Sequence, residues 1–154
     1  MQDDAHQVRY SWAENAVKLA RTAAAAGEVP VGCVIVKGDQ VLARAGNRTL
    51  RDHDPTAHAE LLAIRVAAAK LGSERLSECD LYVTLEPCTM CAGAMVHARI
   101  AQLVFAATEP RAGVACSRCH LLDEPWYNHR VSWQGGVLAE ASGEKLQTFF
   151  RSRR

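Results

Sequence analysis

The sequence lacks several features that would assign it to a broad class at once. Its net charge is only +1 over 154 residues, so no strong overall field indicates a polyanionic partner. Its longest useful apolar stretch, from Pro87 to Ala98, ends at Arg99, whereas a membrane-spanning helix needs about 20 apolar residues. No internal repeat, low-complexity segment or linker is visible. These absences favour one globular domain over residues 1–154, with a core of ordinary size.

The sequence also lacks an export signal, and this affects how its six cysteines are interpreted. The first residues, Met1 to Asp4, are acidic and have no basic start followed by an apolar block. Without export, we expect a cytoplasmic protein in which cysteines serve as ligands or core residues rather than disulfides. Charge is uneven, however, because the last ten residues contain one Lys, three Arg and no acid.

The apolar pattern predicts strands that alternate with helices, which is typical of an α/β fold with helices on both faces of a sheet. The second helix is expected to begin with Asp54 as its N-cap and Pro55 in its first position, and its Val66 is expected to face the sheet. Helices are predicted at residues 7–26, 55–71, 87–99 and 138–150, and strands at 31–36, 41–45, 81–85, 102–107 and 131–134.

Two short motifs carry the strongest chemical signal. His58 and the pair Cys88 and Cys91 supply three zinc ligands and leave a fourth position for water. Because His58 and Glu60 point about 200° apart on a regular helix, they can share a site only in front of its first turn. Cys88 and Cys91 follow Pro87 in the first turn of another helix, so we predict two helix N-termini that face each other across the zinc. Glu60 would then act as the proton carrier. A structural zinc knuckle is the alternative, but such sites usually close with four protein ligands.

A second cysteine pair, Cys116 and Cys119, precedes His120. This pattern fits haem attachment, a second metal site, or a loop with two incidental thiols. Haem attachment normally needs an exported chain, so we favour the loop with incidental thiols. Cys33 and Cys79 are expected in the core.

The chain resembles the bacterial tRNA-specific adenosine deaminases of the cytidine and deoxycytidylate deaminase superfamily. His-x-Glu followed by Pro-Cys-x-x-Cys is the signature of zinc-dependent nucleobase deaminases, and the resemblance extends over nearly the whole chain. It rests on residues 28–32, 47–48, 53–60, 81–99, 128–131 and 149–151.

The resemblance implies a three-layer α-β-α fold with a five-stranded mixed sheet, one Zn²⁺ per subunit and a homodimer. It implies hydrolytic deamination of adenosine to inosine at the wobble position of an arginine tRNA, with no nucleotide cofactor and no membrane partner. In the implied mechanism, Glu60 deprotonates zinc-bound water, hydroxide attacks the six-position carbon of adenine, and Glu60 returns the proton.

The resemblance also implies substrate contacts. Asn47 would hydrogen-bond the flipped base, the Ala59 amide would orient its reacting edge, and Val29 and Pro30 would line the pocket. From its position alone, Asn47 is expected to be a turn residue at a strand end that caps its own backbone.

RNA contacts are expected at the C-terminal end of the chain and in the loop at residues 108–113. Phe149 and Phe150 are candidates for base stacking or for a helix seam, and Arg151 for phosphate contact or for a solvated tail. In the loop, Glu109 stands where the family usually has Asp, and Pro110 stiffens the backbone.

Two other functions remain open at this point. One is deamination of a free base or nucleoside such as guanine or cytosine, with the same zinc and the same Glu60. The other is a non-catalytic zinc module that binds RNA, which would give Glu60 no role.

Overall fold

The computed structural model describes residues 2–152, apart from the side chains of residues 2–6, 144, 145 and 149–152. It contains four α-helices, five strands and one short 3₁₀ helix within that range. The helices are α1 Gln2–Ala25, α2 Ala59–Leu71, α3 Thr89–His97 and α4 Ala139–Ser152, with a 3₁₀ turn at Leu121–Asp123. The strands are β1 Gly32–Lys37, β2 Gln40–Gly46, β3 Cys79–Leu85, β4 Gln102–Ala107 and β5 Ser132–Gln134.

The five strands form one mixed sheet in the order β2-β1-β3-β4-β5. The β1 strand pairs antiparallel with both β2 and β3, whereas β3, β4 and β5 run parallel to one another. The predicted five-stranded mixed sheet is therefore confirmed. Because β3 and β4 are parallel, their carboxyl ends meet at one edge of the sheet, and β3 leads from there towards α3.

Alternating side chains of the strands build a separate core on each face of the sheet. In β1, Cys33 and Ile35 belong to the larger core, which also contains residues of α2 and α3. Val34 and Val36 of the same strand lie in a smaller core with Ala16 of α1. The helices α1 and α4 contact each other and the sheet, and α2 contacts the sheet and α3. Because α3 contributes Met95 to the core that α2 shares with the strands, the helices form the predicted α-β-α layers.

A close crossing fixes α1 against the sheet. A Cβ on Gly32 would clash with the carbonyl oxygen of Ala16, so only glycine permits this approach. Beyond the helix, Gly27 has φ 83°, a left-handed conformation that suits a residue just past a helix end. Among the helices of residues 2–152, none combines the length and apolar character needed to cross a membrane.

The predicted start of α2 is wrong. Asp54 accepts hydrogen bonds from the amide and the hydroxyl of Thr56, at 2.8 and 2.7 Å, and so closes a local turn instead of capping the helix. The helix begins at Ala59 with His58 as its N-cap. The expectation for Val66 is also wrong, because this side chain is 51% exposed while Ala63 and Ala67 face the core.

Candidate active site

The site is built where α2 and α3 begin. His58 and Cys88 are the N-caps of these helices, and both have extended backbones, with φ/ψ of −72°/150° and −80°/175°. Neither side chain caps its own helix, although this is the usual use of an N-cap side chain. Both side chains are therefore free to point towards each other.

The three predicted ligand atoms converge in the structure. Nδ1 of His58 lies 3.7 Å from Sγ of Cys88 and 3.5 Å from Sγ of Cys91. Ligands at about 2.3 Å (sulfur) and about 2.0 Å (nitrogen) from one tetrahedral zinc are about 3.5 Å apart. The donor set, two sulfurs and one imidazole, also suits zinc, so these residues fit the ion in both chemistry and spacing. Among the residues that the structure describes, no other group of three possible ligands lies this close together.

The two thiols of this cluster are electrostatically unequal. A hydrogen bond with Cys91 is the main influence on Cys88, and together with His58 it lowers the pKa of Cys88 to about 4 against the opposing effect of burial. The same hydrogen bond and burial raise the pKa of Cys91. A hydrogen bond with Cys88 raises the pKa of His58. A cation bound by both sulfurs would favour the thiolate form of each and so displace their protons.

Glu60 lies in the first turn of α2, directly behind this cluster, and is only 4% exposed. Burial raises the pKa of its carboxyl to about 7; its own amide, His58 and a hydrogen bond with Cys91 oppose the rise, and the negative charge of Cys88 adds to it. A bound divalent cation would favour the charged carboxylate and lower this pKa. The carboxyl thus lies beside the ligands without belonging to the convergent group of three.

A cavity of about 260 Å³ opens beside the cluster. Of the predicted site residues, Val29, Asn47, Glu109, His58, Glu60 and Cys88 line it. Pro30 is buried outside the lining, and so is Ala59, the first residue of α2. The lining also includes Ala112, from the predicted contact loop at residues 108–113, and four residues that the sequence did not indicate: Val31, Thr49, Leu85 and Glu86.

Asn47 is positioned by a loop that is attached to a buried carboxylate. Glu28, fully buried, accepts hydrogen bonds from the amides of Leu50 and Arg51, at 3.1 and 2.8 Å, and from Nε of Arg51. Arg51 in turn donates to the carbonyl of Asn47. The carboxamide of Asn47 donates to the hydroxyl of Thr49 at 3.3 Å, so the structure places Asn47 both in a local turn and in the cavity wall.

Two sets of predicted residues remain, the C-terminal trio and the second cysteine group. The side chains of Phe149, Phe150 and Arg151 lie outside the described residues, so the expectation of RNA contacts there stays a prediction. Cys116, Cys119 and His120 do not form a three-ligand group within the described chain. Instead, the amide of Cys116 donates to Glu86, Cys119 is exposed, and His120 packs near Trp133 with ring centroids 6.2 Å apart.

A second cleft is larger, at about 480 Å³, and lies between α1, β2 and α2. Its lining includes Arg44, Arg48, Arg51 and Arg65 but no residue of the ligand cluster. Two of these arginines are already paired, Arg48 with Asp52 and Arg51 with Glu28. The smaller cavity is the candidate active site because it alone of the two is lined by His58, Cys88 and Glu60.

Comparison with protein families identifies the class that this fold and site define. Residues 7–107 match the cytidine and deoxycytidylate deaminase zinc-binding region. The chain belongs to this deaminase family, and the expected zinc cofactor is confirmed at that level, with His58, Cys88 and Cys91 placed as its possible ligands.

Within the family, the similarity is to tRNA-specific adenosine deaminases. The enzyme of that name from Haemophilus influenzae is 45% identical over 98% of this chain and 90% of its own length. A solved structure from a study of A-to-I editing by tRNA:A34 deaminases is 44% identical, with a TM-score of 0.85 over 88% of this chain and 99% of the other. A guanine deaminase structure from Bacillus subtilis is 34% identical, with a TM-score of 0.63 over 93% of this chain and 92% of the other.

Proposed function

We propose that this protein deaminates adenosine to inosine at the wobble position of tRNA, with an arginine tRNA as the expected substrate. One observation carries the proposal: a buried carboxylate, Glu60, lies beside three convergent zinc ligands and lines a cavity. This arrangement suits hydrolytic attack on a base. The choice of tRNA adenosine is supported by the names of relatives that are similar over almost their full length.

The residues of the site have separable roles in this reaction. When bound, zinc supplies the Lewis acidity that makes water a nucleophile near neutral pH. Glu60 would take one proton from the attacking water and pass it to the ring nitrogen of adenine. It would then carry the second proton of the same oxygen to the departing amine, so that ammonia leaves and a carbonyl remains on the base. Asn47 holds the edge of the base by hydrogen bonds, and Val29 and Val31 exclude water from its faces.

The small size of the cavity affects how RNA can enter. A space of about 260 Å³ accepts one base and not a stacked strand. The target nucleotide must therefore leave its stack, which costs less in a single-stranded loop than in a duplex. An anticodon loop is single-stranded, so its bases can be splayed out in this way and read by stacking and edge hydrogen bonds.

Deamination of free guanine is the second candidate function, because a guanine deaminase structure shares 34% identity with this chain. Both reactions would use the same ligands and the same Glu60. They differ in whether the substrate extends beyond the base cavity.

A substrate panel tests the proposal. The zinc-loaded protein is incubated separately with an anticodon stem-loop that carries wobble adenosine, and with free adenosine, cytidine and guanine. A stem-loop with guanosine at the wobble position is the matched control. Inosine formed only in the adenosine stem-loop supports the proposal. Turnover of free guanine alone would replace it with the second candidate, and RNA binding without turnover would leave a non-catalytic module.

The other proposed partner is a second copy of the chain, as the family resemblance implies. Sedimentation analysis of the zinc-loaded protein at micromolar concentration measures its mass directly. We expect a dimer, and a purely monomeric species that is fully active would contradict the homodimer.

A further inference from the structure

Glu86 is a buried carboxylate that the reaction does not use. It follows the last residue of β3 and precedes Pro87 and Cys88, so it lies between the sheet and the ligand cluster. The side chain lines the base cavity and yet is only 2% exposed. An acidic group in this position needs partners that compensate for its lost hydration.

Those partners are almost all backbone amides of one loop. The amides of Ala115, Cys116 and Ser117 donate to Oε2 of Glu86 at 3.0, 2.8 and 2.9 Å. The amide of Glu109 donates to Oε1 at 2.9 Å, and the hydroxyl of Ser117 donates to the same oxygen. One carboxylate thus gathers both ends of the loop at residues 109–117, which we call the wall loop.

The wall loop is shaped around this carboxylate. The amide of Gly113 donates to the carbonyl of Glu109 at 2.8 Å, and the amide of Val114 donates to the carbonyl of Pro87 at 3.1 Å. A Cβ on Gly113 would lie 2.5 Å from Oε1 of Glu86 and 2.7 Å from the carbonyl of Glu109. Only a residue without a side chain allows the loop to close over the carboxylate.

The wall loop also forms one side of the base cavity. Glu109 and Ala112 line the cavity. Neither belongs to a helix or a strand, because the chain from Thr108 to His120 has no regular secondary structure. Their positions therefore depend on what holds the loop. In contrast, Glu60 and Cys91 lie within α2 and α3, and His58 is the N-cap of α2.

We propose that Glu86 is a positioning residue for substrate binding, which fixes the wall loop as one side of the base cavity through its amide contacts. The choice of substrate in this inference rests on the proposed function. The anchoring of the loop rests only on the hydrogen bonds to Glu86. The inference separates two contributions: the ligand cluster with Glu60 performs the chemistry, and Glu86 shapes the cavity.

Glu86→Gln is the first test. Gln keeps the size of the side chain, but it replaces one acceptor oxygen by an NH₂ group that faces amide donors. We expect KM for the wobble-adenosine stem-loop to rise about 10-fold, while kcat stays within about threefold and zinc content stays full. A residue that merely supports the fold would lower activity in proportion to lost zinc or lost folded protein.

Gly113→Ala is the second variant, for the case that Glu86→Gln does not fold or load zinc. It leaves the carboxylate in place but pushes the loop away from it, so we expect the same rise in KM at full zinc content. Gly143→Ala is the matched control, because a Cβ at this position in α4 meets nothing within 4 Å. Its KM should stay within about twofold of the wild-type value.

Amide hydrogen exchange separates this inference from the proposed function, since it needs no substrate. In the wild-type protein the amides of residues 115–117 should be protected, and either Glu86→Gln or Gly113→Ala should speed their exchange by about 10-fold or more. Unprotected amides in the wild type, or an unchanged KM in a folded, zinc-loaded variant, would overturn the inference. A wild-type protein inactive on every RNA but with protected amides would instead remove the proposed substrate and leave the anchor standing.

Discussion

Among the residues that the structure describes, three glutamates are almost completely buried. The surroundings of two of them stabilise the charged carboxylate, whereas the surroundings of the third destabilise it. Glu28 and Glu86 lie under loops, and Glu60 lies behind the ligand cluster. Burial raises the pKa of all three, but amide donors such as those of Arg51 and Cys116 reverse the effect for Glu28 and Glu86, whose pKa values are lowered. At Glu60 burial prevails and the pKa rises to about 7.

The difference shows how one residue type serves two purposes in one site. A carboxylate surrounded by amide donors is held in its charged form and organises the backbone around it. A buried carboxylate with fewer donors is freer to gain and lose a proton, as a proton carrier must. We therefore expect removal of charge at Glu60 to cost activity, and removal at Glu28 to cost stability. The predictions below test this contrast, beginning with the largest effect.

Cys88→Ser removes one of the predicted zinc ligands beside Glu60. This ligand cluster is the main difference between the surroundings of Glu60 and those of Glu28 and Glu86. Because metal binding is coupled to folding, we expect loss of most bound zinc, turnover at background and a lower melting temperature. Elemental analysis and a thermal melt measure these effects. Cys119→Ser, at an exposed thiol, is the matched control and should keep zinc and activity. Full zinc content in Cys88→Ser would remove Cys88 from the ligand set.

Glu60→Gln tests the proton carrier directly. General acid–base catalysis contributes about 10²–10⁴-fold, so we expect kcat to fall by that factor at full zinc content. In the zinc-free protein stability should not fall, because there the change removes a buried charge whose burial outweighs its favourable contacts. Single-turnover kinetics and zinc analysis of the loaded protein, and urea unfolding of the metal-stripped protein, provide the three values. Near-normal turnover would contradict the role of Glu60, and a large loss of stability would break the contrast with Glu28.

Glu28→Gln should show the opposite behaviour, with a loss of about 2 kcal/mol in unfolding free energy at pH 7, as expected for hydrogen bonds to a charged group. The pKa of Glu28 is lower in the folded protein than its ordinary value of 4.5. Its contribution is therefore fully present above pH 4.5 and is lost as pH falls through the folded pKa.

The measurement is the difference in urea unfolding free energy between wild type and Glu28→Gln across pH 3–7. Loss of zinc at acid pH affects both proteins and cancels in this difference. The difference should be flat above pH 5 and shrink below 4.5. A difference that is constant down to pH 3 would mean that the charge of Glu28 is not what stabilises the loop.

The contrast also explains what could be predicted from the sequence. The strands, the layers and the ligands came from local patterns, since alternation, helix periodicity and the spacing of His58, Cys88 and Cys91 all act over short distances. The sequence predicts the wrong start for α2 because the carboxylate of Asp54 accepts hydrogen bonds from Thr56 in a local turn. Such local bonds compete with helix capping. Val66 was assigned to the core by its hydrophobicity, but the small side chains of Ala63 and Ala67 let the helix pack closely on another face.

The role of Glu86 could not be found in this way. Its amide donors lie 23 to 31 residues further along the chain, so no local pattern joins them to it. The sequence carries one signal, which is an acidic residue directly after an apolar strand. This signal has a meaning only once the structure shows which loop amides donate to the acid. Both buried anchors, Glu28 and Glu86, lie in ranges on which the family resemblance rests, but the resemblance gives neither of them a role.

Ser117→Ala should have the smallest effect and sharpens the account of the wall loop. The change removes the hydroxyl that donates to Oε1 of Glu86 but leaves the four amide donors in place. If the amides carry the anchoring, KM should change by less than about twofold and stability by about 1 kcal/mol. Steady-state kinetics on the stem-loop and urea unfolding measure both. An effect on KM as large as that of Glu86→Gln would mean that one side-chain hydrogen bond, and not the set of amides, holds the loop. Glu86 would then differ from Glu28, which two backbone amides hold in place.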